Sequence, residues 1–342
     1  MKTKQVSPAY AAAGVNIDTA ASIKSIIKGL ARSTSVPGVL SEIGLFGGLF
    51  QLRGYKEPVL VASTDGVGTK LRIAALLGGH GTIGVDLVNH CVNDIFTCGA
   101  SPLFFLDYIA MGKLVPQLVE SIVAGMVKAC RDTGCALLGG ETAEMPGIYA
   151  PGDYDVVGFI VGAVEKQSIL TGAAIITGDV LIGLPSSGLH TNGYSLARKV
   201  FEVDSRPAVL DSYYPELGCT LGEALLVPHR CYYHLLKPFL PLLKGMAHIT
   251  GGGIPENLPR ILPPTRAARI DSRSWPVPPL FSLIQRKGRI SRREMFRVFN
   301  MGIGMILVCS GGNASQLLKS LPEARVIGQI AEQKGRQRVI LA

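Results

Sequence analysis

Short apolar runs alternate with longer amphipathic segments along most of the chain. The runs at residues 58–63, 103–110 and 156–164 are bounded by Gly, Pro or Asp, which predicts buried β-strands. Residues 117–133 place apolar side chains at three- and four-residue spacing, which predicts a helix. The same reasoning predicts further helices at 18–31, 86–98, 192–201 and after the strand at 305–309, and further strands at 136–138, 179–184 and 326–330.

Helices and strands are mixed in both halves of the chain, which predicts an α/β (α+β) fold with two mixed domains. The length of 342 residues also suits two domains of ordinary size. We place the boundary at a linker near residues 166–171, so that the N-terminal domain covers 1–168 and the second domain covers 169–342. The segments 206–215 and 263–279, the latter broken by prolines, are predicted as loops.

The composition is that of a folded protein with substantial cores, because 47% of the residues are hydrophobic and only 17% are charged. The 41 glycines follow no collagen-like period, so we expect them at turns and at close backbone approaches to ligands. Seven cysteines form no CxxC pair, which argues against a zinc or dithiol site. The chain shows no signal-peptide pattern and no run of 18 apolar residues, so we expect a cytoplasmic protein with no membrane partner.

The formal net charge is +9, and much of it lies in two late runs of basic residues. Such an excess suits a phosphorylated substrate, a nucleic acid or a solvated surface. The runs lack the interleaved aromatic residues that stack bases, so we favour solvated surfaces and expect no nucleic-acid partner. The basic residues are Arg286, Lys287, Arg289, Arg292, Arg293 and Arg297 in the first run, and Lys334, Arg336 and Arg338 in the second.

The predicted helix at 86–98 carries a narrow polar stripe bordered by apolar residues on both sides. At 100° per residue its polar side chains fall within an arc of roughly 140°. A surface helix normally has a wider polar face with more Lys and Glu, so this stripe indicates the lining of a cavity. Magnesium with nucleotide phosphates would supply partners for its carboxylates, whereas a solvated face is the alternative. The stripe consists of Asp86, Asn89, His90, Asn93, Asp94 and Thr97.

Four glycine-containing turns carry the other candidate chemistry. Residues 63–70 place Asp65 and two glycines after a strand, where the backbone can approach an anion and Lys70 can meet a phosphate. The GxxxxGK[ST] spacing of a P-loop is absent, and an ordinary turn with a lysine is the alternative. Residues 139–146 place acidic groups beyond a strand, either as ligands or as a capped helix start. The turns at 186–193 and 250–257 precede predicted helices, whose N-termini attract phosphate.

These sites suit a magnesium nucleotide and a second phosphorylated ligand, but they do not name a reaction. The motifs together resemble the phosphoribosylformylglycinamidine cyclo-ligase (AIR synthetase) family from about Tyr10 to the C-terminus. The most specific of them are DGVGTK, GGETAEMPG and TGGG. The others, in the family's order, are YAAAGVNID, GVDLVNHCVNDIFTCGASPLFFLDYIAMGKL, DYDVVGFIVGAVEK, SSGLHTNGYSLARKV and FNMGIGMILV.

The resemblance implies an enzyme of purine biosynthesis that uses ATP and Mg²⁺. Its reaction would close formylglycinamidine ribonucleotide to aminoimidazole ribonucleotide, with release of ADP and phosphate, after ATP phosphorylates the formyl oxygen. It also implies a homodimer in which the N-terminal domains of two subunits form a β-barrel. A phosphotransferase of the same superfamily, like thiamine-phosphate kinase or selenophosphate synthetase, is the alternative. A basic RNA-binding protein is a second alternative, which leaves the acidic stripe unexplained.

The resemblance also assigns roles to individual residues. Asp65, Asp94 and Glu141 are expected to be magnesium ligands, and Asp65 and Asp94 also act in catalysis. His190 is a hypothetical acid–base group, because imidazole titrates near neutrality. The expected nucleotide- or substrate-binding residues are Gly66, Gly68, Thr69, Lys70, Asn93, Asn192, Gly251, Gly252 and Gly253. The N-terminal segment departs from the family by having Ala at 11–13 and Asn16 where charged residues often stand.

Overall fold

The computed structural model describes residues 16–342 and contains two main β-sheets with helices packed against them. The first sheet has the spatial order β1–β4–β2–β3, with β1 (Pro58–Gly66), β2 (Ser101–Met111), β3 (Ala136–Glu144) and β4 (Tyr154–Glu165). The second has the order β12–β9–β11–β5–β10–β8, with β5 (Val180–Pro185), β8 (Leu243–His248), β9 (Arg266–Ile270), β10 (Ile303–Cys309), β11 (Arg325–Glu332) and β12 (Val339–Leu341). This confirms the predicted mixed α/β class.

Helices connect most of the strands. A short hairpin, formed by β6 (Tyr213–Tyr214) and β7 (Cys219–Thr220), lies between β5 and β8 along the chain. In the first half the helices are α1 (Ile17–Ala31), α2 (Lys70–Leu77), α3 (His80–Phe96) and α4 (Pro116–Thr133). In the second half they are α5 (Tyr194–Phe201), α6 (Leu221–Leu226), α7 (Tyr233–Leu236), α8 (Gly253–Asn257), α9 (Pro279–Gly288), α10 (Arg292–Val298) and α11 (Gly311–Ser320). No helix in residues 16–342 is both long and apolar enough to cross a membrane.

Helices α3 and α4 cover one face of the first sheet and pack unusually close to each other. A Cβ atom on Gly84 would lie 2.0 Å from the carbonyl oxygen of Ile122, and one on Gly125 would lie 2.0 Å from that of Gly81. Since backbone atoms cannot yield as a flexible side chain can, glycine is required at this crossing. The close approach fixes α3, which carries the polar stripe, firmly against the sheet.

The opposite face of the first sheet is left uncovered by residues 16–342. Along β1 the side chains alternate between the two faces of the sheet. Val59, Val61, Ser63 and Asp65 face the helices, and the side chains at the alternate positions, including Leu60, face outward. Leu60 is 62% exposed and Phe159 on the adjacent strand is 40% exposed. An apolar sheet face open to this extent typically packs against another surface.

Three parts of the fold differ from the prediction. Helix α3 begins at His80, six residues before the predicted start, because Gly81 and Gly84 serve helix packing and do not form a turn. Strand β3 continues through Gly139 and Gly140 to Glu144, which corrects the predicted turn there. The strand needs glycine at 140 because a Cβ would lie 2.3 Å from Oδ1 of Asp107 on β2.

The third difference lies in the second half, where β6, β7, β8, β9 and β12 were not predicted, and β6 lies within the segment 206–215 that was predicted as a loop. β9 occupies part of the segment 263–279 that its prolines had marked as a loop. The start of the first motif, at residues 10–15, lies outside the described residues.

Candidate active site

Five segments bring two carboxylates and four imidazoles into one cluster between the two sheets. Asp65 stands near the end of β1, and His90 and Asp94 lie one turn apart on α3. The other three imidazoles come from the second half of the chain. They are His190 in the β5–α5 loop, His229 in the segment 227–232 before α7, and His248 at the end of β8.

The two predicted carboxylates meet at the same imidazole. Nε2 of His90 lies 2.8 Å from Oδ2 of Asp65 and 3.6 Å from Oδ2 of Asp94. Nδ1 of His248 lies 2.8 Å from the other oxygen of Asp94, and the Ser63 hydroxyl donates to Oδ2 at 3.2 Å. The Asp65 side chain is 44% exposed and that of Asp94 is 28% exposed, so both can reach a ligand in the cleft.

Both carboxylates are held in the ionised form. Burial alone would raise the pKa of Asp65, but the hydrogen bond and charge of His90 bring it below its ordinary value. Burial likewise opposes ionisation of Asp94, and the hydrogen bond and charge of His248, with the charge of His90, lower its pKa. Two neighbouring carboxylates that stay ionised are suited to a hard divalent cation.

The pKa values of the four imidazoles shift in different directions. Burial opposes the charged form of His90, yet the hydrogen bond to Asp65 and the charge of Asp94 outweigh it and raise the pKa of His90. Burial lowers the pKa of His190, His229 and His248. The imidazole that lies next to both carboxylates is therefore the one whose charged form is favoured relative to the other three.

His190 lies behind the carboxylates and does not touch them. Its Nε2 accepts the Ser187 backbone N–H at 3.1 Å, and its ring stacks on His229 with centroids 3.9 Å apart. Its Nδ1 is buried and has no hydrogen-bond partner among the described residues. The residue has φ 62°, a backbone conformation that a non-glycine residue seldom adopts. The acid–base role of His190 stays a prediction.

One edge of the α3 stripe binds protein backbone. Asn89 donates to the carbonyl of His229 at 2.7 Å. Asn93 is fully buried, donates to the Arg230 carbonyl at 2.8 Å and accepts the Tyr232 N–H at 2.9 Å. Both polar atoms of the Asn93 side chain therefore contact segment 227–232, and its predicted nucleotide contact stays a prediction.

Lys70 is held by protein contacts, and its predicted phosphate-binding role stays a prediction. Its side chain is fully buried and forms an ion pair with Asp86 at 2.7 Å. The ammonium group also donates to the Val227 carbonyl at 2.8 Å. Lys70 is the first residue of α2 and directly follows the glycine turn. Its side chain points into the core of the protein from that position.

Glu141 is not brought to the other two carboxylates within the chain. The strand register runs from Asp65 through Gly158 and Asp107 to Gly140, which spans three strand spacings, or roughly 14 Å. Because side chains alternate along a strand, Glu141, next to Gly140, points to the opposite face from Asp65. Glu141 is exposed at the edge strand.

The predicted glycine turns border two open cavities. One of about 550 Å³ is lined by Gly68, Thr69 and residues of α2, α5 and the 149–155 loop. Thr69 lies 3.0 Å from the Ser195 hydroxyl, which joins the two halves of the chain at this cavity. The other, of about 620 Å³, is lined by Gly193, Gly251 and Gly252 together with residues of α10.

Three remaining predicted residues can be placed at these turns. Asn192 packs against Gly251, where a Cβ would lie 3.1 Å from the amide oxygen of Asn192. Gly253 packs directly on the backbone of Phe296. Gly66 donates its N–H to the Asp65 carboxylate at 2.7 Å. Their ligand contacts stay predictions.

Two family models match the chain. AIR synthase related protein, N-terminal domain, matches residues 48–164, and AIR synthase related protein, C-terminal domain, matches residues 177–340. The chain is 50% identical over 331 residues to the phosphoribosylformylglycinamidine cyclo-ligase of Thermoanaerobacter sp. (strain X514), which covers 95% of this chain and 98% of that protein. The chain belongs to the phosphoribosylformylglycinamidine cyclo-ligase family. The prediction of an ATP-dependent cyclo-ligase of purine biosynthesis is thereby confirmed.

Solved structures of more distant proteins share the fold of this cyclo-ligase family member. Thiamine-monophosphate kinase from Stenotrophomonas maltophilia K279a matches with a TM-score of 0.68 at 18% identity, over 92% of this chain and 95% of that chain. Hydrogenase maturation protein HypE in complex with ATP matches with a TM-score of 0.62 at 17% identity, over 91% and 88%. At these identities the likeness shows the fold alone, so it does not favour the alternative of a phosphotransferase.

Sequence reasoning missed two imidazoles of the cluster and the hydroxyl of Thr191 beside it. His229 has no local signal, and Thr191 stands in the turn at 186–193 without any feature that marks it from its neighbours. His248 ends a strand two residues before the glycine turn at 250–253, which is the position where α/β proteins gather ligands. That position could have identified His248, and the contact with Asp94 could not have been foreseen from a separation of 154 residues.

Proposed function

We propose that Asp65 and Asp94 hold the Mg²⁺ that accompanies ATP, at the end of β1. The observation that supports this most directly is the pair of carboxylates that lie 2.8 Å and 3.6 Å from the same nitrogen of His90. Carboxylate oxygens are preferred ligands of Mg²⁺, which also keeps contacts to nucleotide phosphates. Bound there, the ion would neutralise charge on the transferring phosphoryl group.

In the proposed reaction the chain's residues bind and orient two phosphorylated ligands. The γ-phosphoryl group of ATP passes to the formyl oxygen of formylglycinamidine ribonucleotide, which breaks the bond to ADP. A substrate nitrogen then attacks the formyl carbon, which carries the phosphorylated oxygen. That oxygen leaves as phosphate, and the nitrogen loses a proton. The turns at Gly66–Gly68 and Gly251–Gly253 flank the cavities that could take the two ligands. His190 stays the candidate for moving the proton.

The test mixes purified protein with ATP, Mg²⁺ and formylglycinamidine ribonucleotide and measures ADP release together with the aminoimidazole product. We expect Asp94→Asn to lower turnover by roughly 10²–10³, the range for removing one charge-stabilising group. Asp132→Asn is the matched control, because that aspartate is exposed and pairs only with Lys128. ADP formation without the imidazole would refute the proposed acceptor.

We also propose that two chains pair through the uncovered face of the first sheet to form a barrel. Leu60 and Phe159 leave an apolar surface there, and pairing would bury it. Sedimentation should show a dimer, and Leu60→Glu should shift it to the monomer, whereas a wild-type monomer would refute the pairing. Within one chain the sheet separates Glu141 from Asp65, so the two share an ion only if a second copy contributes one of them.

The division into domains at residues 1–168 and 169–342 is kept as part of this proposal. It is supported by the two sheets, since the first ends with β4 and the second begins with β5. Limited proteolysis that cuts near residues 166–171 would fit the division, and cleavage only elsewhere would contradict it.

A further inference from the structure

A continuous chain of hydrogen bonds connects the two carboxylates through side chains from both halves of the sequence. From Asp65 the contact to Nε2 of His90 is 2.8 Å, and Nδ1 of His90 lies 2.7 Å from the Thr191 hydroxyl. That hydroxyl lies 3.5 Å from Nδ1 of His229, whose Nε2 is 2.9 Å from Nε2 of His248. Nδ1 of His248 returns to Asp94 at 2.8 Å.

Carboxylates fix the donors at both ends of this chain. Asp65 and Asp94 only accept, so Nε2 of His90 and Nδ1 of His248 donate to them. A hydroxyl can donate one hydrogen bond and accept others, so that of Thr191 can bond to Nδ1 of His90 and to Nδ1 of His229 at the same time.

The chain crosses between the halves of the sequence at two points. These are the contact of His90 with Thr191 and the contact of Asp94 with His248. Thr191 is 8% exposed and His229 is 1% exposed, so water cannot easily replace a lost partner. The second half of the chain must therefore be seated correctly before both carboxylates are oriented.

We propose that Thr191 is a positioning residue, which fixes the orientation of Asp65 and Asp94 through His90 and His229. The hydroxyl contacts both His90 and His229 and so joins the two arms of the chain. The inference rests on the proposed role of the two carboxylates as Mg²⁺ ligands. Groups that orient metal ligands typically change metal affinity or activity by 10–100-fold when they are removed.

The test compares Thr191→Val, which keeps the shape and removes the hydroxyl, with Thr191→Ser, which keeps the hydroxyl. Calorimetry measures the affinity for a non-hydrolysable ATP analogue as a function of Mg²⁺, and steady-state kinetics gives kcat and KM separately. We expect Thr191→Val to raise the half-saturating Mg²⁺ concentration by roughly 10-fold and Thr191→Ser to stay within about 3-fold of wild type.

Thr133→Val is the matched control. Its hydroxyl is also buried, and its partners among residues 16–342 are the carbonyls of Ala129 and Cys130 on its own helix α4. We expect this control to change stability without changing the Mg²⁺ dependence. Equal Mg²⁺ dependence in Thr191→Val and wild type would overturn the inference.

His248 supplies a second pair of variants if Thr191→Val folds poorly. An Asn at 248 places its amide N–H near the position of Nδ1 and keeps a donor for Asp94, whereas Gln places it near Nε2. His248→Asn should bind the Mg²⁺–analogue complex more tightly than His248→Gln, and the reverse order would overturn the inference. If Asp94→Asn itself leaves the Mg²⁺ dependence unchanged, the proposed function fails first.

Discussion

The buried ion pair of Lys70 and Asp86 separates a structural role from a ligand-binding role for a motif lysine. The ammonium group lies 2.7 Å from one oxygen of Asp86 and 2.9 Å from the other, with both side chains at 0% exposure. Oδ1 of Asp86 also accepts the His229 N–H at 2.6 Å. Lys70→Met keeps most of the side-chain volume, removes the charge and leaves a buried carboxylate with one remaining donor.

The expected loss follows from this geometry. Removing one partner of a buried, hydrogen-bonded pair costs about 3–5 kcal/mol, because the other charge stays buried. Lys28→Met is the matched control, since Lys28 pairs with Glu42 on the surface, where such a pair contributes about 0–1 kcal/mol. Urea unfolding followed by circular dichroism gives the free energy of unfolding, and calorimetry with the ATP analogue gives the affinity of the folded protein.

Two results would contradict the structural role of Lys70. One is a loss of unfolding free energy below about 1 kcal/mol, comparable with that of the Lys28 control. The other is wild-type stability together with an ATP affinity weakened 100-fold, which is the outcome that the sequence prediction of a phosphate-binding lysine requires. A loss of stability with nearly unchanged ATP affinity would support the structural role, in which the ion pair holds α3 to segment 227–232.

Three further predictions concern a carboxyl, a glycine and an imidazole. Burial raises the pKa of Asp107 to about 7, above its unfolded value of 3.8, so stability should fall as pH rises between these values. Asp107→Asn should remove that slope and stabilise the protein at pH 8 by at most about 4 kcal/mol, from 1.36 kcal/mol per unit, as measured by urea unfolding. Gly84→Ala should prevent α3 and α4 from packing and give little folded protein by circular dichroism, and normal folding would refute the crossing. His190→Ala should lower turnover by roughly 10²-fold at every pH from 6 to 9, and nearly unchanged turnover would remove His190 from the catalytic residues.

The elements with a strong local period could be predicted from the sequence. The helix predicted at 117–133 is α4, and the strand at 179–184 is β5 within a residue at each end. Glycine misled the prediction where it serves packing between elements. Gly84 and Gly140 resemble turn residues locally, but each gives room to an atom of another element that is distant in sequence.

The carboxylates of the site could be predicted, and their surroundings could not. Asp65 and Asp94 stand after a strand and on a polar stripe, which are local signals. Their imidazole partners follow from contacts between segments as far apart as 154 residues, on which the sequence pattern carries no information. For the same reason the sequence pattern could not predict that Asn93 contacts a backbone segment and that His90 contacts the two carboxylates.

The polar stripe of α3 has two edges with different partners, and the two edges depend on each other. One edge binds the backbone of segment 227–232 and consists of Asp86, Asn89 and Asn93, which are spaced three and four residues apart. The other edge consists of His90 and Asp94, each one residue after an asparagine of the first edge, and it belongs to the carboxylate cluster. Because segment 227–232 carries His229, the edge that binds backbone also sets the position of an imidazole in the hydrogen-bond chain. The polar residues of this buried helix therefore serve two purposes, since one edge packs against a backbone segment and the other forms the carboxylate cluster. A substitution at Asn93 should alter the orientation of the carboxylates although Asn93 itself contacts only protein backbone.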